Sequence, residues 1–326
     1  MILSVLDQSP IAEGSTGAAA LHNSLDLARA AERLGYHRYW VAEHHGTPAL
    51  ACASPEALIG PIASITSRIR VGSGGVMLPH YSPLKVAETF SMFSALFPER
   101  IDLAVGRAAG TDSRTAFALQ RDRRQAAPDD FPSQLAELLA YVDDEMPPDH
   151  PFRHLTALPG RPSVPDLWLL GSSPQSGIWA AEVGLPYAFA DFINDRGAAI
   201  AQEYRRTFIT SAHGETPYVI VAVWALAADS DEEAQRLASS ARMMFALLHT
   251  GRFLPVPSPE TALEFLANEP DVLPRRRSIV GTKETVRAGI EAVAEEYSAD
   301  EVMIVTITHD HAARRRSYEL IAEAFS

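Results

Sequence analysis

Short apolar runs alternate with longer stretches whose apolar positions recur every three to four residues. The runs are Ile2–Leu6, Arg38–Ala42, Ile69–Gly72, Ile101–Val105, Leu167–Leu170, Tyr187–Ala190, Tyr218–Leu226 and Glu301–Ile307. Each reads as a strand buried on both faces. Between them lie helical patterns. One runs from about Ala19 to Leu34 and stops at Gly35, and others follow from about Pro132 to Val142, Ala198 to Ile209, Thr282 to Glu296 and His311 to Phe325. Helix starts are marked by Ser54-Pro55-Glu56, Ser82-Pro83, Ser173-Pro174 and the capping box Ser230-Asp231-Glu232-Glu233, where a serine or an acid meets the orphan N–H groups of a first turn. Eight strand-then-helix units predict an α/β chain with a parallel sheet closed into a (β/α)8 TIM barrel, with the doubly wound open sheet as the competing architecture.

Composition narrows the partners. The chain has 326 residues, of which 47% are hydrophobic and 21% charged, with a formal net charge of −13. Such an acidic balance argues against general nucleic-acid binding and against docking on an anionic membrane, while leaving room for a locally positive pocket. One cysteine, Cys52, excludes an intramolecular disulfide and a multi-thiolate zinc site. Residues Met1 to Asp7 carry no basic n-region and no long apolar core, and no apolar run approaches the roughly 20 residues of a membrane span, so a cytoplasmic protein is expected. One barrel domain is expected over 1–326. The excess length falls in Arg121–Asp130, in Met146–Pro165, and in the proline-rich stretch Thr250–Ser278 after the seventh strand. That last stretch is a mobile insertion, either an ordered lid or a surface loop.

In a barrel, chemistry gathers where strands end. After the second strand comes Glu43-His44-His45; a histidine there can serve as acid, base or hydrogen-bond donor, and a structural imidazole fits the same residues. Neighbouring histidines on extended chain face opposite ways, so a shared metal is disfavoured. After the third strand comes Gly72-Ser73-Gly74-Gly75-Val76-Met77, a weak match to a dinucleotide fingerprint, since Met77 stands at the third glycine. Its glycines allow a flat ligand near the backbone or simply a bulge. After the fourth comes Gly106-Arg107-Ala108-Ala109-Gly110-Thr111-Asp112, and after the fifth Gly171-Ser172-Ser173-Pro174-Gln175-Ser176. An arginine beside small residues, facing serines at a helix N-terminus, outlines a phosphate pocket. Taken separately, an Arg107–Asp112 pair and a serine N-cap explain them.

At these segments the chain resembles the luciferase-like, flavin-dependent monooxygenases. The residues that carry the likeness are Glu43-His44-His45, the loop from Val71 to Pro79, Arg100 to Asp112, and Leu169 to Ser173. Leu6 to Pro10 and Tyr36 to His45 further resemble a single-component bacterial branch. The resemblance implies a dimeric (β/α)8 barrel that binds FMN or its reduced form. Arg107, Ser172, Ser173 and Ser176 would hold the FMN phosphate. Gly74, Gly75, Val76 and Gly110 would lie at the cofactor, with a non-prolyl cis peptide at Gly74–Gly75. His44 would be catalytic, and Glu43, His45, Met77 and Trp224 would line the substrate pocket, with no metal. The implied reaction uses O2 and reduced FMN to oxygenate a small organic substrate through a flavin peroxy intermediate. A separate flavin reductase is a possible partner. An F420-dependent hydride transfer, or flavin binding without turnover, are the alternatives. The reactive cysteine of true luciferases is replaced by Gly106.

Overall fold

The computed structural model describes residues 1–125, 129–269 and 276–326. Nine strands run β1 (Ile2–Asp7), β2 (Arg38–Val41), β3 (Arg70–Met77), β4 (Ile101–Gly106), β5 (Asp166–Gly171), β6 (Tyr187–Ala190), β7 (Val219–Ala227), β8 (Ile279–Gly281) and β9 (Glu301–Val305). Neighbours from β1 to β7 pair in parallel. β7 also pairs with β9, and β9 returns to β1 with Ile2 opposite Glu301. Eight strands therefore close a ring, and the expected TIM barrel, not the open sheet, is the architecture found. β8 stands outside the ring and pairs only with the end of β7, Ala225–Ala227.

Eleven α-helices lie among the described residues: α1 (Gly17–Arg33), α2 (Pro55–Ile65), α3 (Pro83–Leu96), α4 (Ser113–Leu119), α5 (Phe131–Asp143), α6 (Pro174–Glu182), α7 (Ala198–Thr207), α8 (Asp231–His249), α9 (Pro259–Asn268), α10 (Lys283–Tyr297) and α11 (His311–Ala324). Two of them were not among the expected helices, α4 in the polar stretch after β4 and α9 in the proline-rich stretch Thr250–Ser278. Asp112 caps α4, its Oδ1 accepting from the Arg114 and Thr115 N–H groups at 2.9 and 3.1 Å. Ser258-Pro259-Glu260 opens α9 as Ser54-Pro55-Glu56 opens α2, with the Ser258 side chain capping Thr261 N. The density of prolines around it masked that signal. α9 packs on α8 through Met243, Leu247, Ala262 and Phe265, and Val256 bridges to Ala12. Residues 270–275 of the Thr250–Ser278 stretch, and with them part of the lid-or-loop expectation, lie outside the described residues.

Alternate residues of each strand feed two cores. Outward side chains such as Val5, Tyr39, Val71, Leu103, Leu169 and Val221 pack against the helices. Inward ones, among them Leu6, Trp40, Ala104, Trp168, Ala222 and Met303, fill the barrel. The end where strands begin is closed by charge instead. Arg38, 5% exposed, donates to Asp102 at 2.9 Å and to Glu301 at 2.9 Å. Arg70 reaches Asp102 at 2.7 Å and Asp166 at 2.5 Å. Tyr218 donates to Glu301 at 3.1 Å, and the Trp40 indole N–H donates to Asp102 at 2.8 Å. Arg38 also lies 4.6 Å from the centre of the Trp168 ring. Gly72 must be glycine here, because a Cβ would run into the Asp102 backbone and side chain.

Among the described residues no helix is long and apolar enough to cross a membrane. Removing the shared acceptor leaves the Trp40 indole N–H without a partner and strips Arg38 and Arg70 each of one of two acidic partners, Glu301 and Asp166 alone remaining. Asp102→Ala is expected to cost about 3–5 kcal/mol of stability, read from the midpoint of urea unfolding; a loss under about 1 kcal/mol, the range of an exposed ion pair, would contradict this account of the plug.

Candidate active site

At the opposite end, where the strands finish, a cavity of about 330 Å³ opens. Its floor is apolar: Leu6, Trp40, Gly74, Ala222 and Met303. The floor is fixed from below, since Asp102 holds the Trp40 indole and Trp168 packs edge-on against it at 5.5 Å. Gly74 keeps the cavity flat there; a Cβ would strike Leu6 and Trp40. The Gly74–Gly75 peptide is cis. A register shift between Gly74 and Val76 places a bulge at this point of β3.

One corner of the cavity gathers donor groups of the kind that hold an anion. Ser172 and Ser173 line it at the start of α6. The Ser173 side chain makes no capping bond, so its hydroxyl is available beside the positive end of the helix. Arg107 lines the same corner with its guanidinium 5.4 Å from the Trp179 ring centre. Its charge is only loosely answered, by the exposed Asp129 at 4.0 Å. Ser176 is different. It is 7% exposed, and its hydroxyl is committed to the Ser173 carbonyl at 2.7 Å and the Tyr187 hydroxyl at 2.8 Å. Its hydroxyl is therefore engaged internally, at the edge of the corner.

The wall across from this corner carries His44 and Gly110. His44 N donates to the Cys52 carbonyl at 2.9 Å, which fixes the loop after β2. The imidazole Nδ1 is buried with no hydrogen-bond partner. Burial, and then the neighbouring His45, push the ring's pKa down to about 4, so it is neutral at pH 7. Glu43 and His45 form a brace beside it. Glu43 is 1% exposed; its Oε1 meets His45 Nε2 at 2.7 Å and its Oε2 accepts from Met77 N at 2.9 Å. The carboxylate is thus satisfied within the wall that ties the β2 loop to β3.

A second cavity of about 450 Å³ lies on the other side of His44. The two share Gln8, His44, Gly110, Phe192 and Ile193. The second is walled largely by apolar side chains, including Leu50, Met244, Phe245, Leu248 and Phe253, with Arg252 and Arg276 at its edge. His45 lines this second cavity, whereas Met77 lines the first.

The sequence-level candidates separate in the structure. Gly74, Arg107, Gly110, Ser172, Ser173, Ser176, Glu43, His44 and Met77 come together around the first cavity. Val76 does not: the bulge turns it outward into the core between barrel and helices. Gly75 is taken up by close packing against Leu170 and Ala104 rather than lining the cavity. Trp224 misses both large cavities and lines a smaller one nearby. Phe192, Ile193, Phe245, Arg252 and Arg276 were not anticipated. The first two follow β6, a strand end with no histidine, glycine run or serine to mark it. The α8 residue reads as ordinary helix core, and the arginines read as surface charge.

With the geometry in place, the comparisons with known proteins are specific. The luciferase-like monooxygenase family matches residues 1–301. An Escherichia coli (strain K12) protein named luciferase-like monooxygenase is 41% identical over 322 residues, covering 97% of this chain and 95% of its own. The crystal structure of apo-MsnO8 superposes with a TM-score of 0.90 at 41% identity, covering 99% of this chain and 98% of its own. At 18% identity and a TM-score of 0.73, covering 99% and 97% of the two chains, the fold is also shared with the oxygenating constituent of 3,6-diketocamphane monooxygenase from Pseudomonas putida, solved in complex with FMN. The chain belongs to the luciferase-like monooxygenase family.

Proposed function

We propose that the protein is a flavin-dependent monooxygenase that takes reduced FMN as co-substrate and uses O2 to oxygenate a small organic molecule. The observation that carries this reading is the placement of a neutral, buried histidine between two cavities, one with an anion corner and a flat floor, the other apolar. The residues of the first cavity suit FMN. Arg107 and Ser173, with Ser172 beside them, would hold the phosphate, and the apolar floor of Leu6, Trp40 and Gly74 would face a planar ring. When bound, reduced FMN supplies the two electrons with which O2 is activated. The FMN carried by the Pseudomonas putida neighbour accords with this choice.

The chain's own residues have distinct parts in this reading. The buried apolar side chains of Leu6, Trp40 and Met303 keep water from the floor of the cavity, which protects a reactive oxygen species from wasteful decay. His44, neutral at pH 7, has one N–H to donate and one lone pair to accept, so it can hold or move a proton at the boundary between cofactor and substrate. Glu43 and His45 hold the loop that presents it. A separate reductase supplies the reduced flavin, and a homodimer is part of the same reading.

Fluorescence titration with FMN and with F420 side by side is expected to favour FMN; preferential F420 binding would replace this reading with hydride transfer. Arg107→Ala is expected to weaken FMN binding about tenfold, the loss typical of a partly exposed charge-assisted hydrogen bond; an unchanged Kd would remove Arg107 from the site. His44→Ala is expected to retain FMN but to lower substrate-dependent oxygen uptake roughly 100-fold or more, and unchanged turnover would exclude His44 from the chemistry. The His44 ring proton signals are expected to titrate near pH 4 instead of the usual 6.5. Because the folded-state value is the lower one, its contribution to stability is full above about pH 6.5 and is lost as pH falls toward 4. A midpoint above pH 6 by NMR would contradict the buried, neutral imidazole.

A further inference from the structure

The smaller cavity that contains Trp224 adjoins the second cavity and shares Phe192, Phe245 and Arg276 with it. Its volume is about 100 Å³, yet three guanidinium groups line it, those of Arg242, Arg276 and Arg277. Three cations in so small a space require an answer in negative charge. Arg277 has one: it lies 3.2 Å from Asp191 and 2.8 Å from Glu296, and its backbone N–H donates to Asp195 at 2.9 Å. Arg276 and Arg242 do not, among the described residues. Arg276 makes one long bond of 3.4 Å to the Phe192 carbonyl and lies 5.4 Å from the Phe245 ring centre, with Asp195 the acid whose charge reaches it. Arg242 donates to the neutral Gln235 side chain at 2.6 Å. Burial lowers the pKa of both, the mark of a cation stripped of water without full compensation. Trp224 adds a neutral donor to the wall. It is 5% exposed, and its indole N–H is buried without a hydrogen-bond partner.

We propose that this pocket takes the carboxylate end of an elongated substrate whose apolar body fills the second cavity. The proposal rests on the reading that the second cavity receives the substrate. His44 lines the second cavity but not the third, so the end of the molecule remote from its carboxylate is the end presented for oxygenation. The pocket is lined by arginines rather than lysines, and a guanidinium forks both oxygens of a carboxylate. The same chemistry would also hold a free inorganic oxyanion, and the test separates the two.

Isothermal titration of the purified protein with octanoate, with octan-1-ol and with inorganic phosphate, alongside FMN binding, decides the matter. Octanoate is expected to bind at least about tenfold more tightly than octan-1-ol, the ratio expected of a charge-assisted hydrogen bond. Arg276→Gln is expected to abolish that preference while leaving the octan-1-ol and FMN affinities and the unfolding midpoint unchanged. Trp224→Phe, which keeps the ring and removes the donor, is expected to weaken octanoate alone. Octanoate binding no tighter than octan-1-ol, or a preference that survives Arg276→Gln, overturns the proposal. Phosphate binding to the FMN-saturated protein, in which the Arg107 corner is filled, as tightly as octanoate also overturns it, in favour of a free-anion site. Each of these results with FMN binding intact defeats this proposal alone, whereas failure of the wild-type protein to bind FMN defeats the functional reading beneath it.

Discussion

The structure depends on a charge cluster placed where a barrel would ordinarily be filled with hydrocarbon. Arg38, Asp102 and Glu301, each no more than 5% exposed, sit within the first two residues of their strands and close the lower end of the ring. Buried charges are expensive unless every oxygen and nitrogen is answered. Here the answers come from β2, β3, β4, β5 and β9 and from Tyr218 at the entry to β7, because Arg70, Asp166 and Tyr218 join the same network. Six of the eight staves are thereby held in one register by directional bonds. The consequence at the other end is geometric. Asp102 holds the Trp40 indole at 2.8 Å, and that ring is part of the floor on which the candidate cofactor site is built.

Above the floor, the structure divides the work between adjoining spaces. One has an anion corner and a flat apolar base. The next is a broader apolar chamber, and a third, lined by arginines, adjoins it. His44 stands at the first boundary with its loop braced by the Glu43–His45 pair. A histidine in that place is useful because it is neutral. A charged ring would draw water into a wall that it shares with the apolar side chain of Phe192. Cationic side chains lie at the two ends of this row of cavities, Arg107 at one and Arg276 at the other.

The barrel was legible in the sequence because a parallel strand buried on both faces is a nearly unbroken apolar run, and eight such runs separated by helical patterns leave little else to build. The charges inside it were not. Arg38 and Asp102 lie in runs that read as plain strands, and only the period-two alternation that groups Arg38, Trp40 and Ala42 on one face places Arg38 inside the barrel. Residues at strand ends that carry chemical types, such as His44, Arg107 and Ser173, could be found from sequence. Val76 could not be placed, since a one-residue bulge reverses its direction. Trp224 was read as a substrate-pocket residue, and it sits one cavity further out. Arg276 came from a proline-rich stretch whose only sequence property was irregularity, and its meaning depends on what Arg277 beside it is already paired with.

The central claim is that the chain oxygenates an organic molecule with O2 and reduced FMN. The most direct measurement is turnover under 18O2 with chemically reduced FMN and a panel of candidate substrates, read by product mass. The account predicts a product heavier by one 18O atom, formed with oxygen uptake that exceeds that of free reduced FMN. Oxygen uptake equal to that of free reduced FMN, with no 18O in any product while hydride transfer to or from F420 is observed, would contradict it.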